Sequence, residues 1–163
     1  MVTRRGVLVV GAAAGALAFG VWGRRPAVAA EGSFEIAMSD AEWRKRLTEK
    51  QFSVLRLSGT ERPYSSPLND ERRKGRFACA GCENPLFSSE TKFDSGTGWP
   101  SFWAPLDKAI GTGRDTAFGM EREEVHCARC GGHLGHVFND GPKPTGLRYC
   151  MNGVAMTFRP AAA

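Results

Sequence analysis

Residues 126–132 read "HCARCGG" and residues 76–82 read "RFACAGC". The two stretches hold four of the five cysteines as matched C-x2-C pairs, Cys79/Cys82 and Cys127/Cys130. Each pair fits a tight turn that points both sulfurs the same way, and two such turns complete a tetrahedral four-thiolate shell for zinc. Gly81 in the first turn, and Gly131 and Gly132 after the second, let backbone amides approach the thiolates. The rival reading is a redox dithiol, but a redox C-x-x-C is usually single and opens a helix of a βαβ unit. Here both lie in strand-and-turn sequence. A closed four-cysteine zinc would hold structure and do no chemistry.

Outward from the pairs, the chain breaks into short apolar runs: "RFAC", "PLFSS", "SFWAPL", "DTAFGM", "EEVHC", "GHVF", "LRYCMN" and "VAMTF". Most are separated by Gly, Pro, Asn or Asp, the pattern of a small curved sheet or barrel. Upstream, Ser39–Glu42 and Thr48–Gln51 each carry a capping-box pattern. Two short helices are expected there, with Trp43 and Leu47 on one face, Phe52 and Leu55 as the next apolar positions, and Gly59 as the stop. Residues 59–75 read as an extended crossing segment with a solvated Arg72-Arg73-Lys74 run.

With 163 residues the chain is one domain plus extras, and the domain is expected at 39–163 after a linker at 30–38. The formal charge of +5 comes mostly from residues 1–30, which hold four arginines and no acid. The remainder carries 18 basic against 17 acidic residues, which is no electrostatic footprint for nucleic acid. Residues 1–29 read as an export signal: Arg4-Arg5, then eighteen uncharged residues from Gly6 to Gly23, then Ala27-Val28-Ala29 as a cleavage site. The paired arginines resemble a twin-arginine signal, with export beyond the cytoplasm as the expectation. An uncleaved anchor is the alternative, since eighteen residues can just span a bilayer.

Cys150 is the cysteine without a pair. On a strand it shares a face with Arg148 and Asn152. A free thiol, with a pKa of about 8.5, is mostly protonated at neutral pH, and a fixed guanidinium favours its thiolate. His133 and His136, with Asp140 close behind, offer proton transfer. Either imidazole alone reads as a packed core group, and a lone cysteine as a buried structural one. Together they make a Cys/His site. Trp99, between Gly98 and Pro100, sits on a turn and can floor a small apolar pocket. Phe102 and Trp103 read mostly as core, with Phe102 also a candidate for the substrate pocket.

These stretches, "RFACAGCENPLFSSETKFDSGTGWPSFW", "HCARCGGHLGHVFNDGPKPTGLRYCMN" and "SDAEWRKRLTEKQF", resemble the methionine-R-sulfoxide reductases of the B type. Each epimer of methionine sulfoxide has its own reductase, and the resemblance implies reduction of the R epimer, free or in proteins. It implies two curved antiparallel sheets, barrel-like, with short N-terminal helices. It implies Cys150 as nucleophile, His133 and His136 as proton donors at the sulfoxide oxygen, Asn152 settling charge at the cysteine, and Trp99 against the substrate methyl. It also implies one structural zinc on Cys79, Cys82, Cys127 and Cys130. Two departures stand out. Gly153 replaces a common serine, with little expected functional effect, and Thr97 replaces the resolving cysteine of many relatives. Recycling of a Cys150 sulfenic acid would then fall to an external thiol, a thioredoxin-like protein or a small thiol. A monomer is expected. The competing readings are a zinc-ribbon binding module without catalysis and a thiol oxidoreductase with metal-free C-x-x-C pairs.

Overall fold

Two reciprocal caps start the body of the protein, whose computed structural model describes residues 34–116 and 119–162. The Ser39 amide donates to the Glu42 carboxylate at 2.8 Å while the Ser39 hydroxyl accepts from the Glu42 amide, opening α1 (Asp40–Arg46). Thr48 and Gln51 do the same for α2 (Glu49–Leu57). Helices of seven and nine residues are too short to persist alone. They are held by Trp43, Phe52, Val54 and Leu55, all buried. The left-handed residue that ends α2 is Ser58, one before the expected Gly59. The Gly59 amide instead closes the turn onto the Ser53 carbonyl.

Nine strands follow among the described residues: β1 (Gly75–Cys79), β2 (Pro85–Ser88), β3 (Lys92–Phe93), β4 (Ser101–Phe102), β5 (Ile110–Asp115), β6 (Arg122–Cys127), β7 (His133–Phe138), β8 (Arg148–Met151) and β9 (Met156–Pro160). They form a three-stranded sheet, β2-β1-β9, and a six-stranded sheet, β3-β4-β8-β7-β6-β5, with every pairing antiparallel. The fold is therefore mainly β with two antiparallel sheets, as expected, and the larger sheet stays open between β3 and β5.

Aromatic rings lock the sheets together. Phe102 of β4 stacks on Phe87 of β2 at 4.4 Å between ring centroids and meets Phe77 of β1 edge-on at 4.9 Å. All three rings are fully buried. This corrects the pocket assignment of Phe102: a ring enclosed by two others in the inter-sheet core has no face left for substrate.

A second correction concerns residues 115–120, expected as a strand. Among the described residues of that stretch only Asp115 belongs to one, and the strand is the preceding "IGTGRD", which pairs with β6 from Ile110↔Cys127 to Asp115↔Arg122. Its glycines read as breakers in sequence. Gly111 is instead a close-approach residue, since a Cβ there would collide with the His126 ring. The export signal at 1–29 lies outside the described residues. Among the described residues, no helix is long and apolar enough to cross a membrane.

Candidate active site

Cys79 is the last residue of β1 and Cys127 the last of β6, so the two knuckles hang from the ends of strands in different sheets. Backbone turns close both: the Glu83 amide bonds the Cys79 carbonyl at 2.8 Å and the Gly131 amide the Cys127 carbonyl at 2.9 Å. Arg56 of α2 donates to the Cys130 carbonyl at 3.1 Å, fastening the helix to the second knuckle. The four sulfurs lie within 4.8 Å of one another, with Cys79–Cys130 at 3.7 Å and Cys82–Cys127 at 3.5 Å. Four thiolates about 2.3 Å from one tetrahedral metal lie roughly 3.8 Å apart, whereas a disulfide requires about 2.05 Å. The cluster therefore fits a metal ion, and all four cysteines are free thiols. A metal there would join the two sheets at their ends.

Cys150 sits in β8 between β4 and β7, opposite Ser101 on one side and His136 on the other. It opens onto a cavity of about 120 Å³ whose walls include Trp99, Arg122, His136, Phe138 and Asn152. Strand alternation predicts Arg148, Cys150 and Asn152 on one surface. Cys150 and Asn152 do line this cavity, and the positive charge of Arg148 reaches the thiol. Arg148 itself is clamped by a bidentate pair with Asp140, both contacts at 2.8 Å, and stacks over Phe138. Burial is the larger influence on Cys150 and pushes its thiol up; the hydrogen bond with Thr97 and the charge of Arg148 oppose it. The guanidinium does favour the thiolate, but it does not win at rest.

The histidines three apart would face opposite sides of a regular strand. A register shift between Val125 and His126 makes β7 irregular at Leu134, and the two rings meet at 5.3 Å between centroids. His136 borders the cavity and its Nε2 lies 2.7 Å from the Asp115 carboxylate. The same carboxylate oxygen accepts from Arg122 at 2.7 Å. Burial lowers the His136 pKa, with the Asp115 hydrogen bond acting against it. His133 lies deeper, 1% exposed, with Nδ1 2.6 Å from Glu124; its Nε2 has no hydrogen-bond partner among the described residues.

Glu61 is the connector that nothing in the sequence singles out. Its carbonyl accepts from the Trp99 indole at 3.1 Å and its amide donates to the Asn152 side chain at 2.9 Å. Its carboxylate accepts from the Gly153 and Val154 amides. Burial raises the Glu61 pKa, opposed by those two amides. One residue thus fixes two cavity walls, the indole and the side-chain amide of Asn152, which also donates to the Leu134 carbonyl at 3.0 Å.

The chain that brings these residues together matches the SelR domain over residues 47–160. It belongs to the MsrB family. It is 54% identical over 127 residues to the peptide methionine sulfoxide reductase MsrB of Agrobacterium fabrum, covering 77% of this chain and 94% of that protein. The MsrB of Pseudomonas putida strain GB-1 is 59% identical over 120 residues, covering 73% and 92%. That of Leptospira interrogans is 49% identical over 128 residues, covering 78% and 98%.

Within this MsrB fold, Gly153 is tightly packed. A Cβ there would collide with the Ser66 hydroxyl and stand 2.5 Å from Ser66 Cβ, and Ser66 is itself buried. Rotating the hydroxyl relieves the first contact and leaves the second. Gly153→Ser is therefore expected to destabilise by about 1–3 kcal/mol, the usual cost of overpacking, and Ser66→Gly in the same chain should recover most of it. Urea midpoints of the two variants check this; equal stability of Gly153→Ser and wild type would show that the loop at Ser66 gives way freely.

Proposed function

We propose that this peptide-methionine (R)-S-oxide reductase transfers the sulfoxide oxygen to Cys150. The observation that carries the reading is the pairing of Cys150 with His136 across β7–β8 at a small cavity walled by Trp99. A sulfoxide sulfur becomes electrophilic only when its oxygen is protonated or strongly hydrogen-bonded, so the site needs a thiolate, an acid and a pocket for the methyl. Trp99, anchored through Glu61, supplies the apolar wall for that methyl. Asn152 supplies a neutral dipole beside the reacting sulfur.

The proton route follows from the resting state. Cys150 is held as a thiol by burial, and His136 is held neutral for the same reason. With its Nε2–H donating to Asp115, the imidazole keeps Nδ1 as its remaining acceptor. His136 takes the thiol proton as the thiolate attacks and returns it to the departing oxygen. Cysteine thiol plus methionine sulfoxide give cysteine sulfenic acid plus methionine: the substrate sulfur gains two electrons, and the cysteine sulfur loses them. His133, its Nδ1–H donated to Glu124, supports the His136 ring edge-on.

The sulfenic acid then meets an external thiol, releasing water and forming a mixed disulfide, which a second thiol resolves to regenerate Cys150. A thioredoxin-like protein or a small thiol fits this role. Thr97 stands beside Cys150, its hydroxyl 3.9 Å from the sulfur, and a hydroxyl cannot form a disulfide. A metal on the four cysteines would be a structural zinc, and no step passes through it. Zinc suits an all-sulfur tetrahedral set of this spacing.

Replacing His136 with alanine should slow the single-turnover release of methionine by about 10²-fold or more, the scale of a lost general acid–base group. A single turnover reads the chemical step itself, so an unchanged rate would reduce His136 to a packing residue.

A further inference from the structure

The turn between β3 and β4 carries a row of hydroxyls that the proposed reaction leaves unused. Ser101 Oγ lies 3.1 Å from the Trp99 carbonyl and 2.7 Å from Ser95 Oγ; Ser95 Oγ lies 2.8 Å from Thr97 Oγ1; and Thr97 Oγ1 lies 3.9 Å from Cys150 Sγ. The Thr97 amide also donates to Ser95 Oγ. Ser101 is fully buried and faces Cys150 directly across β4–β8. The turn is held from outside by residues of the 59–75 segment: the Tyr64 amide and the Asn69 side chain both bond the Gly98 carbonyl, and the Tyr64 hydroxyl bonds the Gly96 carbonyl.

Each hydroxyl has one proton to donate, so the order of donation is constrained. Ser101 donates to the Trp99 carbonyl, because a carbonyl can only accept. Ser95 must then donate to Ser101, and Thr97 to Ser95. Thr97 has no proton left for Cys150, so in this state the S–H donates to Thr97 Oγ1. When Cys150 ionises, the sulfur can only accept. The row can satisfy it by turning in concert: Thr97 donates to the sulfur, Ser95 to Thr97, and Ser101 leaves the carbonyl and donates to Ser95. No proton travels along the row; three hydroxyls rotate.

We propose that Ser101, Ser95 and Thr97 form a reversible hydroxyl chain that solvates Cys150 as thiol in one direction and as thiolate in the other. Thr97 touches the reacting sulfur, Ser101 also favours its thiolate directly from across β4–β8, and Ser95 acts through Thr97 as a positioning residue. In a site too small for a hydration shell, such a chain supplies the hydrogen bond that favours the charged form. The proposal rests on Cys150 ionising in the reaction. The charged and titratable groups around the thiol are Arg148 on its own strand, His136 on β7, Arg122 on β6 with Asp115 of β5 between the last two, and Glu61 behind Trp99 and Asn152.

The test is the pH dependence of iodoacetamide alkylation at Cys150 in the metal-loaded protein, read by mass spectrometry of the Cys150 peptide. It reports thiol acidity without any sulfoxide, so it is independent of whether Cys150 is the nucleophile. Thr97→Val, which removes the donor that meets the sulfur, should raise the alkylation midpoint by about one pH unit, a roughly tenfold loss of thiolate at neutral pH. Ser95→Ala should instead lower the midpoint, because the Thr97 proton is then free in the thiol state and Ser101 keeps its bond to the Trp99 carbonyl when the sulfur ionises. Ser95→Thr, which keeps the hydroxyl, should leave the midpoint of the unaltered chain. The double variant should match Thr97→Val, because Ser95 acts only through Thr97. Should Thr97→Val fail to fold, Ser95→Ala and Ser95→Thr carry the test. An unchanged midpoint in folded Thr97→Val, or an unchanged or raised midpoint in folded Ser95→Ala, would overturn the chain.

Discussion

Removing the metal with a strong chelator should collapse the tertiary structure around both knuckles. Structural zinc contributes roughly 10–16 kcal/mol, against a net stability of about 5–15 kcal/mol for a whole domain. The geometry makes that comparison decisive. The sulfurs close off the ends of β1 and β6, α2 is fastened to Cys130 through Arg56, and Trp43 and Leu55 pack beside Gly81 and Gly132 of the knuckles. Without the metal, four buried sulfurs crowd together with no cation to favour their ionised form. The expected result is loss of near-ultraviolet circular dichroism together with release of one zinc per chain. Retention of the native spectrum by the metal-free protein would show that the aromatic core between the sheets suffices. Fresh protein with two disulfides and no metal would support the dithiol reading instead.

Cys150→Ser should abolish reduction while leaving the fold and metal content unchanged. The cysteine is half-buried, outside the four-sulfur cluster, and oxygen replaces sulfur at nearly the same volume. Serine keeps the donor to Thr97 but cannot supply a thiolate or carry the transferred oxygen as a sulfenic acid. Activity should fall to the uncatalysed level, with the urea midpoint within about 1 kcal/mol of that of the unaltered chain. Turnover by the serine variant at a measurable fraction of the normal rate would remove Cys150 from the role of nucleophile.

What can be read from the residues differs sharply between local and long-range features. Both helix starts are legible because a capping box is written within four residues. The metal cluster is legible because two C-x-x-C turns have one common geometry, even though Cys127 lies 45 positions after Cys82. Cys150, His136, Trp99 and Asn152 announce themselves as chemical types on turns and strands. Asp115, Arg122, Glu124 and Glu61 do not. Asp115 and Arg122 reach His136 only through the β5–β6–β7 register, and that register depends on a glycine-bearing strand that sequence rules read as a loop. Glu61 acts through its backbone as well as its carboxylate, at a point in a polar segment where nothing distinguishes it from other surface acids. Phe102 shows the opposite error: an aromatic near Trp99 in sequence faces the inter-sheet core, because a strand turns successive residues to opposite sides.

The most direct measurement is a single turnover of the metal-loaded protein with a methionine-R-sulfoxide peptide and no reducing thiol, followed by intact mass and peptide mapping. One methionine released per chain, one oxygen added at Cys150 and trapped by a sulfenic-acid reagent, and no intramolecular disulfide are the expected results. A disulfide from Cys150 to Cys79, Cys82, Cys127 or Cys130, or methionine release with Cys150 unmodified, would contradict this mechanism.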